Sequence, residues 1–148
     1  MMVSRSASFL AGIVLVGTCA ALALGDEGEM PDPTLTPGVV ASIDAGEVCG
    51  RGSLTYSQAH RQTTREMKLE VIHAYGLTPP FRGEIDHRIP LCLGGADDVR
   101  NLWPQRDFQA KDRLETFACR EVCAGRVSIT EAQGWFLGDW RQQLGRVR

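Results

Sequence analysis

Apolar and polar residues alternate from Ile85 to Ile89, the period of a short β-strand with one face buried. Gly94-Gly95 followed by Asp97-Asp98 then predicts a turn, since glycine reaches positive φ and aspartate caps turns locally. A second extended run follows at Asn101-Leu102-Trp103, closed by Pro104. On either side of this hairpin the pattern is helical. Thr63-x-x-Glu66 forms a capping box ahead of Met67, Val71, Ile72 and Tyr75, with Gly76 suited to the left-handed position after the last turn; the spacing predicts a helix over 64–75. Thr78-Pro79-Pro80 breaks it. Ala110, Leu114, Phe117, Ala118 and Val122 predict an amphipathic helix over 106–122, stopped near Gly125. Ser128-x-x-Glu131 opens a last helix over 129–141, packed through Trp135 and Trp140. The fold class is therefore α+β, a hairpin followed by a helix inside a mostly helical small domain.

The chain's beginning reads differently. Arg5 supplies a positive start, Phe9 to Ala23 carries no charge, and Ala21-Leu22-Ala23 and Ala23-Leu24-Gly25 offer small-residue cleavage sites. The apolar run is short for a membrane span. Residues 1–25 are expected to be a signal peptide, which implies export to the periplasm or the extracellular space. Residues 26–46 are acidic and punctuated by Pro31, Pro33 and Pro37, and read as a flexible leader. The domain proper is expected over 47–148.

Cysteine and charge add to this picture. Setting Cys19 aside with the signal peptide leaves Cys49, Cys92, Cys119 and Cys123, an even set that in a small exported domain implies two disulfides with three open connectivities. A zinc site would need two closely spaced thiolate pairs, and only Cys119 and Cys123 come near that spacing. Residues 50–148 hold 15 Lys and Arg against 12 Asp and Glu, and 13 of those bases are Arg, the side chain best matched to phosphate. A surplus of that size is too small to mark a nucleic-acid protein by itself.

The hairpin carries the candidate chemistry. Asp86 and His87 are strand neighbours and point to opposite sides, so one can meet a metal ion while the other handles a water molecule. Histidine is a natural general base and aspartate a hard oxygen ligand. His60 and His73 lie outside the apolar stripes and read as surface residues.

Glu84-Ile85-Asp86-His87-x-Ile89-Pro90-Leu91-x-Leu93-Gly94-Gly95 followed by Asn101-Leu102 resembles the ββα-metal motif of the HNH endonuclease family. The wider pattern, with Asn101-Leu102-Trp103-Pro104, Lys111-Asp112-x-Leu114-Glu115 and Val122-Cys123-x-Gly125, is similar to small exported bacterial HNH-like proteins. The resemblance implies a nuclease that hydrolyses phosphodiester bonds of DNA or RNA. His87 is then the general base, Asn101 the central asparagine that steadies the loop, and Asp86 a ligand of one divalent ion (Mg²⁺, Mn²⁺, Ni²⁺ or Zn²⁺). Many family members place Asn or His on the helix where this chain has Ala110, so Gln109 or Asp112 is expected to complete the metal set. Arg88, Arg100, Arg106, Lys111 and Arg113 flank the hairpin and are expected to hold the nucleic-acid backbone with little sequence preference. The same relatives imply pairing of Cys49 with Cys123 and of Cys92 with Cys119. Two alternatives are a catalytically impaired relative that binds nucleic acid or another anionic ligand, and a structural protein of the cell envelope.

Overall fold

The computed structural model describes residues 30–50 and 52–147. The proposed signal peptide lies outside the described residues. Among the described residues, five α-helices and one two-stranded antiparallel sheet follow in the order α1 (Ala45–Val48), α2 (Tyr56–His60), α3 (Arg65–Ala74), β1 (Glu84–His87), β2 (Leu102–Gln105), α4 (Phe108–Cys123) and α5 (Ile129–Leu137), with a 3₁₀ stretch over Trp140–Arg146. The architecture is α+β, as the periodicities predict.

The core is built on α4. Ala110, Leu114, Ala118 and Val122 form its buried stripe and meet Leu93, Ala132, Trp135, Phe136 and Trp140. Gly125, at φ +69°, follows the end of α4 as a residue without a Cβ can. Two helix boundaries differ from expectation. The cap of α3 is Thr64, whose hydroxyl accepts from the Met67 N–H at 3.2 Å, and Thr63 is thereby released for a contact in the site. The last helix stops at Leu137, and Trp140 enters the core from the separate 3₁₀ stretch.

The largest departure is the expected leader. From Met30 onward it belongs to the domain. Thr36 is fully buried and its hydroxyl donates to the Leu102 carbonyl at 2.8 Å. The Gly38 N–H donates to Arg100 O, the Ala41 and Ser42 N–H groups donate to Gly94 O, and Val39 O accepts from Ala96 N–H. Its Leu35, Val40 and Ile43 stay exposed, and backbone hydrogen bonds to the hairpin loop hold it instead. Gly94 admits this segment because a Cβ there would lie 2.2 Å from Ser42 O.

Disulfides Cys49–Cys123 and Cys92–Cys119 close the structure. This is the pairing the resemblance implies. The second joins the turn after β1 to α4, fixing the helix behind the hairpin. Two such bridges fit a non-reducing compartment. Among the described residues no helix is long and apolar enough to cross a membrane.

Candidate functional site

Strands β1 and β2 pair Glu84 with Gln105, Ile85 with Pro104, Asp86 with Trp103 and His87 with Leu102. Pro104 sits inside the second strand rather than ending it, which a two-stranded ribbon tolerates because one side of each strand needs no ladder partner. The pleat sends Asp86 toward α4 and His87 toward the loop after the glycine pair.

Asn101 closes that loop. It is fully buried; its Oδ1 accepts from the Ile89 N–H at 3.0 Å, and its Nδ2 donates to Ile89 O at 3.0 Å and Ala96 O at 2.8 Å. It steadies the loop rather than the imidazole. Gly95 lies under it, where a Cβ would stand 2.0 Å from Ile89 O. Any side chain there would open the loop.

His87 is 2 % exposed, and its Nε2 lies 2.7 Å from Asp97 Oδ1. Burial pulls the imidazole pKa below its ordinary value, against the opposing pull of the Asp97 hydrogen bond and the Asp86 charge. The ring is therefore neutral at neutral pH. A neutral imidazole facing a carboxylate donates Nε2–H and keeps its acceptor lone pair on Nδ1. Among the described residues no hydrogen bond involves Nδ1. Asp97 itself accepts from the Thr63 hydroxyl and the Gln62 N–H. Burial raises its pKa, but these bonds and the one to His87 outweigh it and keep the group anionic.

On the other face, Lys111 Nζ lies 2.6 Å from Asp86 Oδ2 and 2.8 Å from the His87 carbonyl, and it also donates to Glu115 Oε1. The lysine is 1 % exposed. Burial opposes its charge, yet Glu115 and Asp86 more than compensate, and its pKa is raised. Burial likewise pushes Glu115 up to about 7, countered by Lys111 and reinforced by Asp86. Asp112, one helix position beyond Lys111, is also raised, first by partial burial and then by the Asp86 charge. One ammonium thus holds two carboxylates, with Asp112 close enough to feel the Asp86 charge.

The expected phosphate contacts divide by burial. Arg88 is 8 % exposed and donates to the carbonyls of Thr36 at 2.6 Å, Phe136 at 3.4 Å and Leu137, pinning the leader to α5. Lys111 belongs to the buried cluster. Both spend their donors on groups inside the fold, so the structure gives them structural roles in place of the expected phosphate contacts. Arg100 is exposed but bound to Asp98 through two hydrogen bonds of 3.0 Å, and Arg106 lies over the Phe81 ring at 5.7 Å. Arg113 is exposed on α4. His60 and His73 are exposed, with His60 stacked on Tyr56 at 3.8 Å.

Gln109 and Asp112 are both exposed and stand one turn apart on α4. Among the described residues no three His, Cys, Asp or Glu side chains form a group able to hold a metal ion. The donors that remain are oxygens: Asp86, Asp112 and the Gln109 carbonyl. Such a set would suit a hard ion that keeps several waters, Mg²⁺ or Mn²⁺, better than Ni²⁺ or Zn²⁺, which favour imidazole and thiolate. Burial raises the pKa of both Asp112 and Glu115, and the neighbouring Asp86 charge adds to it.

Sequence reading passed over Asp97 and the cation role of Lys111. Asp97 carries no periodic signal and meets His87 only because the glycine pair folds the loop back. Comparison of the chain with family models, curated proteins and solved structures finds no match.

Proposed function

We propose that this protein is a metal-dependent nuclease of the HNH type, acting on the phosphodiester backbone of DNA or RNA in the periplasm or outside the cell. The observation that carries the reading is the His87–Asp97 contact of 2.7 Å beside an oxygen-rich acidic cluster. Asp97 fixes the ring and its tautomer, and burial keeps the ring neutral, so Nδ1 takes the proton from a water molecule as that water attacks phosphorus. Protonation of His87 is favoured in the reaction by the Asp97 and Asp86 charges close to it. Asn101 holds the loop that brings Asp97 to His87. Asp86, Asp112 and Gln109 would hold Mg²⁺ or Mn²⁺, which supplies charge neutralisation at the phosphate and the leaving oxygen. Arg113, exposed on α4, and Arg106, beside the end of β2, would orient the backbone.

The Lys111–Asp86 contact favours a second reading, in which Lys111 holds the cation place permanently and the protein binds nucleic acid without cutting it. A substrate panel separates the two. Supercoiled plasmid, single-stranded DNA and RNA are incubated with the protein, both disulfides intact, in Mg²⁺, Mn²⁺ or EDTA. Cleavage that EDTA abolishes supports the nuclease; retention of the substrate without cleavage in any metal supports the second reading.

A further inference from the structure

Outside the hairpin, the outer face of α4 carries a shallow groove lined by Asp112, Arg113, Thr116, Phe117, Arg120 and Val147. Positions 113, 116, 117 and 120 fall on one helical face by their spacing. Asp112, which the nuclease reading places in the metal set, lines the groove together with residues further along α4.

Two features of the groove and of the side chains packed behind it point to an occupant. One is a column of flat groups. The Arg120 guanidinium lies 5.5 Å from the Phe117 ring centre, the Phe117 and Trp135 rings stack at 6.4 Å with 18° between planes, and the Arg146 guanidinium covers Trp135 at 4.6 Å. Each end of the column is a planar cation. The other feature is unbalanced positive charge. Glu121 is held by Arg126 at 2.6 and 2.8 Å, leaving Arg120 only a long 3.5 Å contact to it. Among the described residues no ion pair holds Arg113.

We infer that this groove seats a single-stranded nucleic acid, with phosphates on Arg113 and Arg120 and a base stacked on the Arg120–Phe117 pair. Guanidinium and aromatic planes bind unpaired bases through their π-faces, and a duplex hides those faces. A strand entering along the groove reaches Asp112 and then the hairpin, so the inference rests on the nuclease reading and adds its substrate class. The partner is an unpaired strand of DNA or RNA.

The test is fluorescence anisotropy with a fluorescein-labelled oligothymidine strand and the matching duplex, in EDTA and at stepped salt. The protein binds the single strand more tightly than the duplex. Arg113→Ala with Arg120→Ala weakens single-strand binding about tenfold and lowers the salt slope by about two. Phe117→Leu, which keeps apolar volume beside Trp135, weakens it about fivefold, and Phe117→Tyr restores it. Arg65→Ala, an exposed charge on α3, changes nothing. Circular dichroism confirms that each variant is folded. Equal affinity for duplex and single strand overturns the inference, as does full single-strand affinity in the double arginine variant. If that variant is unimpaired while the wild type cleaves nucleic acid, the groove assignment falls and the nuclease reading stands. If the wild type neither binds nor cleaves, both fall.

Discussion

Lys111 Nζ sits 2.6 Å from Asp86 Oδ2, a contact between the first helix turn behind the hairpin and the residue next to His87. The same ammonium holds Glu115 and the His87 carbonyl, so one buried side chain sets strand, helix and acidic cluster relative to one another. A charge with this burial is stabilising only while its partners remain, and removing it leaves carboxylates without compensation.

Lys111→Met therefore destabilises the fold by about 3 kcal/mol or more, read from urea unfolding. A loss below 1 kcal/mol would contradict the role given to the cluster. Lys111→Met combined with Glu115→Gln recovers part of the loss, because one of the stranded carboxylates is then gone.

Asn101→Ala removes three hydrogen bonds inside a buried loop and strands the Ile89 and Ala96 backbone groups. The expected cost is about 2–4 kcal/mol. Cleavage, where measured, falls with it, since Asp97 no longer meets His87 squarely. Unfolding curves and rates on the same preparation check both.

Much of this was readable in advance and some was not. The stripes of α3, α4 and α5 are long enough to outvote local noise, and they appear within a few residues of expectation. The hairpin was legible from alternation and the glycine pair. Arg88 was not, because a guanidinium facing three carbonyls looks in sequence like any surface arginine. The leader escaped for the same reason: its attachment runs through backbone groups, which every residue possesses. Asp97 depended on a loop path no periodicity records, although Gly94-Gly95 marks where that loop must pass closest to its neighbours.

The pH dependence of stability has two opposing parts. Glu115 is raised to about 7 from an ordinary 4.5, so the folded state holds a proton there that the unfolded state releases. Its contribution is fully present below 4.5 and is lost as pH rises from 4.5 through 7. His87 is lowered from 6.5, so the unfolded state binds the proton first, and stability is lost as pH falls below 6.5 toward the folded value. Melting temperature against pH separates them. Glu115→Gln removes the decline between 4.5 and 7, and His87→Gln removes the loss on acidification below 6.5. Unchanged profiles in both variants would contradict the assignments.

Replacing Cys92 and Cys119 together by serine frees the turn after β1 from α4. Unfolding free energy falls by about 2–4 kcal/mol, and reduction of the wild type has an effect of the same sign.

The most direct test of the central claim is the single-turnover cleavage rate of wild type and His87→Ala on one nucleic-acid substrate in Mg²⁺ or Mn²⁺, both proteins shown to be folded. The account predicts cleavage by the wild type, abolished by EDTA, and a rate in the variant lower by about 10²–10⁴. A variant that cleaves as fast as the wild type, or a wild type that cleaves nothing in either metal, contradicts it.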